Sequence, residues 1–137
     1  MAQAINTALY TKLTADQTSG SLYDDVGGRI FELEGKDDEA LPLLTYGVQS
    51  SPVQGLYNGN IIIKSQVVFT LFGHRRLGAQ ADGDIEKKLF DLMNSATLAP
   101  SGYDSNTVVI CLDRDRRTVF DEIIVSESIY SIEATSS

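Results

Sequence analysis

The sequence predicts a single α+β domain, residues 1–137, with a mainly antiparallel β-sheet of about four to five strands and two helices packed on it. Three observations carry that expectation. From Asn60 to Phe72 the odd positions Ile61, Ile63, Ser65, Val67, Phe69 and Leu71 form one nearly continuous apolar face, and Lys64, Gln66 and Thr70 interrupt the other. That is the period of two that pleating imposes on a half-buried strand. Two other segments, around Ile5 and around Leu89, repeat their apolar residues at helical spacing. Finally, Asn58-Gly59, the strongest short hairpin signal in the chain, stands just before the long apolar run.

A chain of 137 residues fits one core, and its 42% apolar and 22% charged content lies far from the composition of disordered chains, so it should fold. Eleven basic against nineteen acidic residues leave a net charge of −8. No Lys/Arg-rich run offsets that balance, and tight nucleic-acid binding needs many cation–phosphate contacts, so DNA or RNA is a poor ligand. A surface past which nucleic acid slides without sticking is compatible with it. The N-terminus lacks a basic segment followed by an apolar one, and no stretch approaches a membrane span, which predicts a protein kept in the cytosol.

Taken in order, Ile5, Leu9 and Leu13 make one stripe of a short amphipathic helix that stops before Thr14-Ala15-Asp16. Thr18 to Ser21 is a loop, and Leu22-Tyr23 adds a turn of helix or an anchoring contact. The pair Gly27-Gly28 supplies a bend, and Ile30 to Leu33 reads as a short first strand. Glu34 to Ala40 reads as a solvated loop; its acids lack the spacing of a calcium loop. Pro42 opens a second strand, Leu43 to Gln49, antiparallel to the central strand. At about 3.3 Å per residue the central strand spans roughly 40 Å, about twice the usual length, so part of it should meet another chain. Asp82 reads as the cap of a second helix in which Ile85, Leu89, Phe90, Leu92 and Met93 form the apolar face. A strand from Thr107 to Leu112, a charged turn from Asp113 to Arg117, and a long strand from Val119 to Ala134 follow. The last strand carries Ile124, Tyr130, Ile132 and Ala134 on one face and Val125 and Ile129 on the other, more apolar surface than a strand with one wet face needs.

Candidate chemistry is sparse. Cys111 is the single cysteine and lies in an apolar run, which reads as a buried, inert thiol rather than a nucleophile. His74 is the single histidine, so sites built on several histidines are excluded. With Arg75 and Arg76 it forms a basic spot, either an exposed loop or a docking patch for an acidic neighbour. Gly27-Gly28-Arg29 lacks the full pattern of a phosphate-binding turn. The alternating charges of Asp113 to Arg117 read as local ion pairs on a solvated turn. No nucleophile motif stands out; no catalytic residue, metal or cofactor is expected.

The order of elements resembles the tail terminator, or tail-completion, proteins of long-tailed bacteriophages. The resemblance is carried by the N-terminal helix running into Leu13-Thr14-Ala15-Asp16 and by Val26-Gly27-Gly28-Arg29-Ile30-Phe31. It continues through Leu41-Pro42-Leu43, the strand Val67 to Phe72 leading into Ile85 to Met93, and the final Val125 to Ala134 with Tyr130-Ser131-Ile132. It implies an α/β sandwich assembled as a homohexameric ring at the tail–neck junction of a virion, put together in the host cytoplasm. Such a ring caps the tail tube, stops its polymerisation and offers a joining surface to head-completion proteins, with a sheath protein as a further partner if the tail is contractile, while DNA passes through the lumen without specific binding. The missing chemistry, overlong strand, projecting hairpin and acidic balance agree with this. Exposure arguments place the candidate subunit and partner interface at Gln54, Tyr57, Asn58, Lys64, His74, Arg75 and Arg76. The expected core is Leu9, Leu13, Ile61, Ile63, Val67, Phe69, Leu71, Ile85, Leu89 and Leu92. Two alternatives stand beside it: another head-to-tail connector ring, or a cytosolic acidic binding module.

Overall fold

The structure is a computed structural model that describes residues 2–32, 41–50, 55–57, 60–74, 78–100, 107–120 and 122–135. Helix α1 (Ala2–Thr14) and the single-turn α2 (Leu22–Asp25) precede β1 (Ile30–Glu32), β2 (Leu43–Ser50), β3 (Gly55–Tyr57) and β4 (Asn60–His74). Helix α3 (Gly78–Met93) then leads to β5 (Thr97–Leu98), β6 (Thr107–Phe120) and β7 (Ile123–Thr135). All the strands join one curled sheet in the order β1-β2-β4-β7-β6-β5, with β3 continuing the β2 edge along β4.

This corrects the expected architecture. Among the described residues the sheet has seven strands rather than four or five, one of its pairs (β1 with β2) is parallel, and three helices accompany it. The fold is dominated by its curled, mixed sheet, not by a sandwich of one modest sheet and two helices. The additional strands escape sequence reading because β3 and β5 are three and two residues long, too short to display a period. The segment Asp113 to Arg117 is not a turn. It lies within β6, whose ladder with β7 shifts register between Cys111 and Asp113 and again between Asp113 and Arg116. Two irregularities of this kind let a charged stretch stay in the sheet while Asp113 and Arg116 reach solvent and Arg114 reaches α3. Likewise α3 begins at Gly78, four residues before the expected cap at Asp82.

The long central strand organises the rest. β4 pairs antiparallel with β2 from Leu43 opposite Phe72 to Ser50 opposite Ser65, and with β7 from Ile62 opposite Thr135 to His74 opposite Ile123. One face of this ladder is inner: Val67, Phe69 and Leu71 of β4 adjoin Leu44 and Tyr46 of β2 and Tyr130 and Ile132 of β7, all buried. The three helices close that face. Ile5, Leu9 and Leu13 of α1, Leu22 of α2, and Ile85, Leu89 and Met93 of α3 complete one core with Val26, Ile30, Leu98 and Val109. Met93 is fully buried whereas Leu92 is only partly so, packed at the margin of the core. The side chains of Ile61 and Ile63 lie outside the described residues.

Local chemistry sets the bend before β1. Ser21 caps α2 by accepting a hydrogen bond from the Asp24 amide, and Gly27 and Gly28 both adopt positive φ. A Cβ added at Gly28, where φ is +74°, would stand 2.9 Å from the Tyr23 hydroxyl oxygen. The hydroxyl can swing aside; the left-handed backbone cannot be avoided. Gly28→Ala is therefore expected to cost about 1–2 kcal/mol, read as a lowered urea midpoint at unchanged slope. An unchanged midpoint would mean that the bend relaxes to negative φ.

Candidate functional site

With the helices on the inner face, the outer face of the sheet is left without a helical cover among the described residues. On β6, Val108, Ile110 and Leu112 alternate with the inward Thr107, Val109 and Cys111, and Ile110 and Leu112 are 54% and 55% exposed. On β7 the outward Val125 and Ile129 are half-buried, which accounts for the two-sided apolar pattern of that strand. At the far end of the β6–β7 hairpin, Val119 and Ile123 are exposed too. Scattered apolar residues on a surface are ordinary, but a stripe along one strand is the kind of surface that marks contact with another protein. The signal for it was the unbroken run Val108 to Leu112: consecutive apolar residues in a strand must place some on each face.

Of the predicted interface residues, Tyr57, Lys64 and His74 fall within the described strands. Lys64 is exposed on the outer face, opposite Glu133 of β7. His74 ends β4 opposite Ile123, ten residues and roughly 33 Å of strand away from Lys64. Tyr57 ends β3 opposite Asn60, near the other end of β4. Gln54, Asn58, Arg75 and Arg76 lie outside the described residues, as do the side chains of Tyr57 and His74.

Sequence reading missed two polar arrangements. The first ties α3 to β6. Glu86, buried on α3, accepts from Arg114 Nε at 2.6 Å and from Arg114 Nη2 at 2.9 Å, and the guanidinium lies 3.9 Å over the Phe90 ring. The two-pronged bond to Glu86 holds the Arg114 pKa above its ordinary value. Arg114 is thus part of a long-range clamp, not of the local ion pairs expected for Asp113 to Arg117. A second ion pair, Lys88 with Asp25, fastens α3 to α2. Beside the clamp, Cys111 faces Tyr130 across the ladder, and burial pushes its thiol pKa up, so the thiolate is disfavoured. Among the described residues no group of three or more His, Cys, Asp or Glu is placed to hold a metal ion.

The second arrangement is a groove between α1 and the β1 edge of the sheet, walled by Tyr10, Phe31 and Tyr46. Asn6, Glu32, Thr7 and Thr11 also line it, with Asn6 Nδ2 donating to Glu32 Oε1 at 2.6 Å. The amide oxygen of Asn6 is buried and has no hydrogen-bond partner among the described residues. The Tyr46 phenol is pushed up to about 12, chiefly by burial and then by the nearby Glu32 charge, so it stays neutral and can donate a hydrogen bond. Tyr10 by contrast is 47% exposed. Neither Asn6 nor Glu32 carries a sequence signature, because the contact joins residues 26 positions apart.

No known protein family and no curated protein matches this sequence. Solved structures do match its fold. One chain of similar fold, with 11% identity and a TM-score of 0.63, covers all of this chain and is covered over 96% of its own length. A chain in the virion of a native gene transfer agent particle superposes with a TM-score of 0.79 at 15% identity, over 98% of this chain and 97% of its own, so the two proteins share one fold from end to end.

Proposed function

We propose that this protein is a non-enzymatic structural component of a phage-like virion. More specifically, it acts as a tail terminator: a ring subunit that caps the tail tube, halts its polymerisation and presents a surface for joining the head. The observation that carries the reading is the end-to-end fold likeness to a chain of a gene transfer agent virion. Three physical features support it. The uncovered outer sheet face and the exposed end of the β6–β7 hairpin give long strands something to do besides building a core. A heterologous contact between copies closes into a ring when the rotation is right. A net charge of −8 would repel DNA in transit and leave it free to pass. The partners are further copies of the chain, most simply six, then tail tube protein, head-completion protein and, in a contractile tail, sheath.

Removal of the gene from the virus or particle that carries it is the test. The expected phenotype is unjoined heads together with tails of uncontrolled length, seen in electron micrographs. Tails of normal length joined to heads would refute the terminator role. Tails of normal length that fail to join heads would instead favour a connector ring on the head side. If the His74-Arg75-Arg76 spot docks on an acidic neighbour, Arg75→Glu with Arg76→Glu should give a milder defect that worsens at low salt, where like charges are least screened. A wild-type phenotype in that double variant would remove the docking role of the arginines alone.

A further inference from the structure

We infer that the groove between α1 and β1 is a receptor for an arginine side chain, supplied by Arg116 on the β6 edge of a second copy of this chain. This rests on the ring reading and names the surfaces that would meet. The groove has the chemistry that recognises a guanidinium. Glu32 offers a carboxylate, and Tyr10 and Phe31 offer ring faces. A planar fork of donors suits a carboxylate, and a guanidinium stacks on aromatic rings. Among the described residues the groove lining contains no cation and Glu32 holds no ion pair.

The chain carries a matching cation at the opposite side of the sheet. Arg116 is 63% exposed, and its described ion pair is a 3.6 Å contact with Asp113, itself half exposed, three residues away. Such a pair contributes little and is readily exchanged. β5 pairs only with Thr107 and Val108, so from Asp113 onward the outer edge of β6 has no neighbouring strand among the described residues. β1 is the opposite end of the same sheet and is likewise paired on one side only among the described residues. A contact between unlike edges is head-to-tail, the arrangement that generates rings.

Charge reversal tests the pairing in the full-length protein. Association is measured by native mass spectrometry and sedimentation for the wild type, Glu32→Arg, Arg116→Glu and the two together, and each variant also replaces the wild-type gene in particles. Melting curves establish that each variant is folded, and Glu32→Gln, which keeps an oxygen for Asn6, controls for loss of the local hydrogen bond. Each single reversal, and Glu32→Gln, should weaken association more than about tenfold, and the double reversal should restore it. Wild-type association should also fall with added salt. If the wild type is monomeric in solution, the same pattern should appear as lost and regained particle assembly. Equal association of all four proteins, or single reversals that assemble normally in particles, overturns the pairing. So does a double reversal no better than the singles. The gene-removal phenotype is independent of which surfaces meet, so failure here with uncontrolled tails there would reject the groove and keep the terminator.

Discussion

Truncating Phe69 to alanine is expected to destabilise the protein by about 3–5 kcal/mol, a large share of the stability of a domain this size. Phe69 is fully buried near the middle of β4, opposite Tyr46 on one side and Ser128 on the other. Its ring meets Tyr130 edge-on, with centroids 5.4 Å apart and planes at 88°, and leans on Tyr46 at 6.4 Å. Alanine would leave a void bounded by two aromatic rings on neighbouring strands, which the ladder hydrogen bonds hold in place and prevent from collapsing inward. The cost should therefore include the cavity as well as the lost transfer energy. Chemical denaturation would read it as a lowered midpoint with little change in slope. A melting temperature within a degree or two of wild type would mean that the ring does not face the core.

The second large effect concerns the clamp between α3 and β6. Arg114→Met should cost about 3 kcal/mol, because it strands the Glu86 carboxylate, 3% exposed, without its counter-ion. The value belongs at the low end of the range for broken buried pairs because the guanidinium is itself 41% exposed and its pairing is partly screened by water. Replacing both, as Glu86→Leu with Arg114→Met, should recover most of the loss, since an apolar pair has no charge to desolvate. The cycle through both singles and the double measures the coupling directly. Additive singles, each within about half a kcal/mol of wild type, would mean that the clamp contributes nothing net. Phe90 would lose a stacked cation in either case, a smaller term.

The sequence alone determined which faces are apolar. Alternation along β4 put Val67, Phe69 and Leu71 on the inner side, and the spacing of Ile5, Leu9 and Leu13 put them on one stripe of α1. These are local facts: the side-chain periods of strand and helix are properties of the backbone and can be read residue by residue. It also showed apolar residues on both faces of β7, without saying which side stays uncovered.

Only the tertiary structure decided the width and mixture of the sheet. Strands as short as β3 and β5 exist because β4 and β6 offer them a ladder, and β1 is parallel to β2 because of how the chain returns, which no pattern within three residues can encode. The same holds for Asp113 to Arg117. Charge alternation predicts a wet turn unless a buried acid is waiting elsewhere, and Glu86 lies 28 positions away. The groove at Asn6 and Glu32 was invisible for that reason as well. Polar contacts across tens of residues form where packing brings their elements together, and their energy depends on a burial that the sequence does not state.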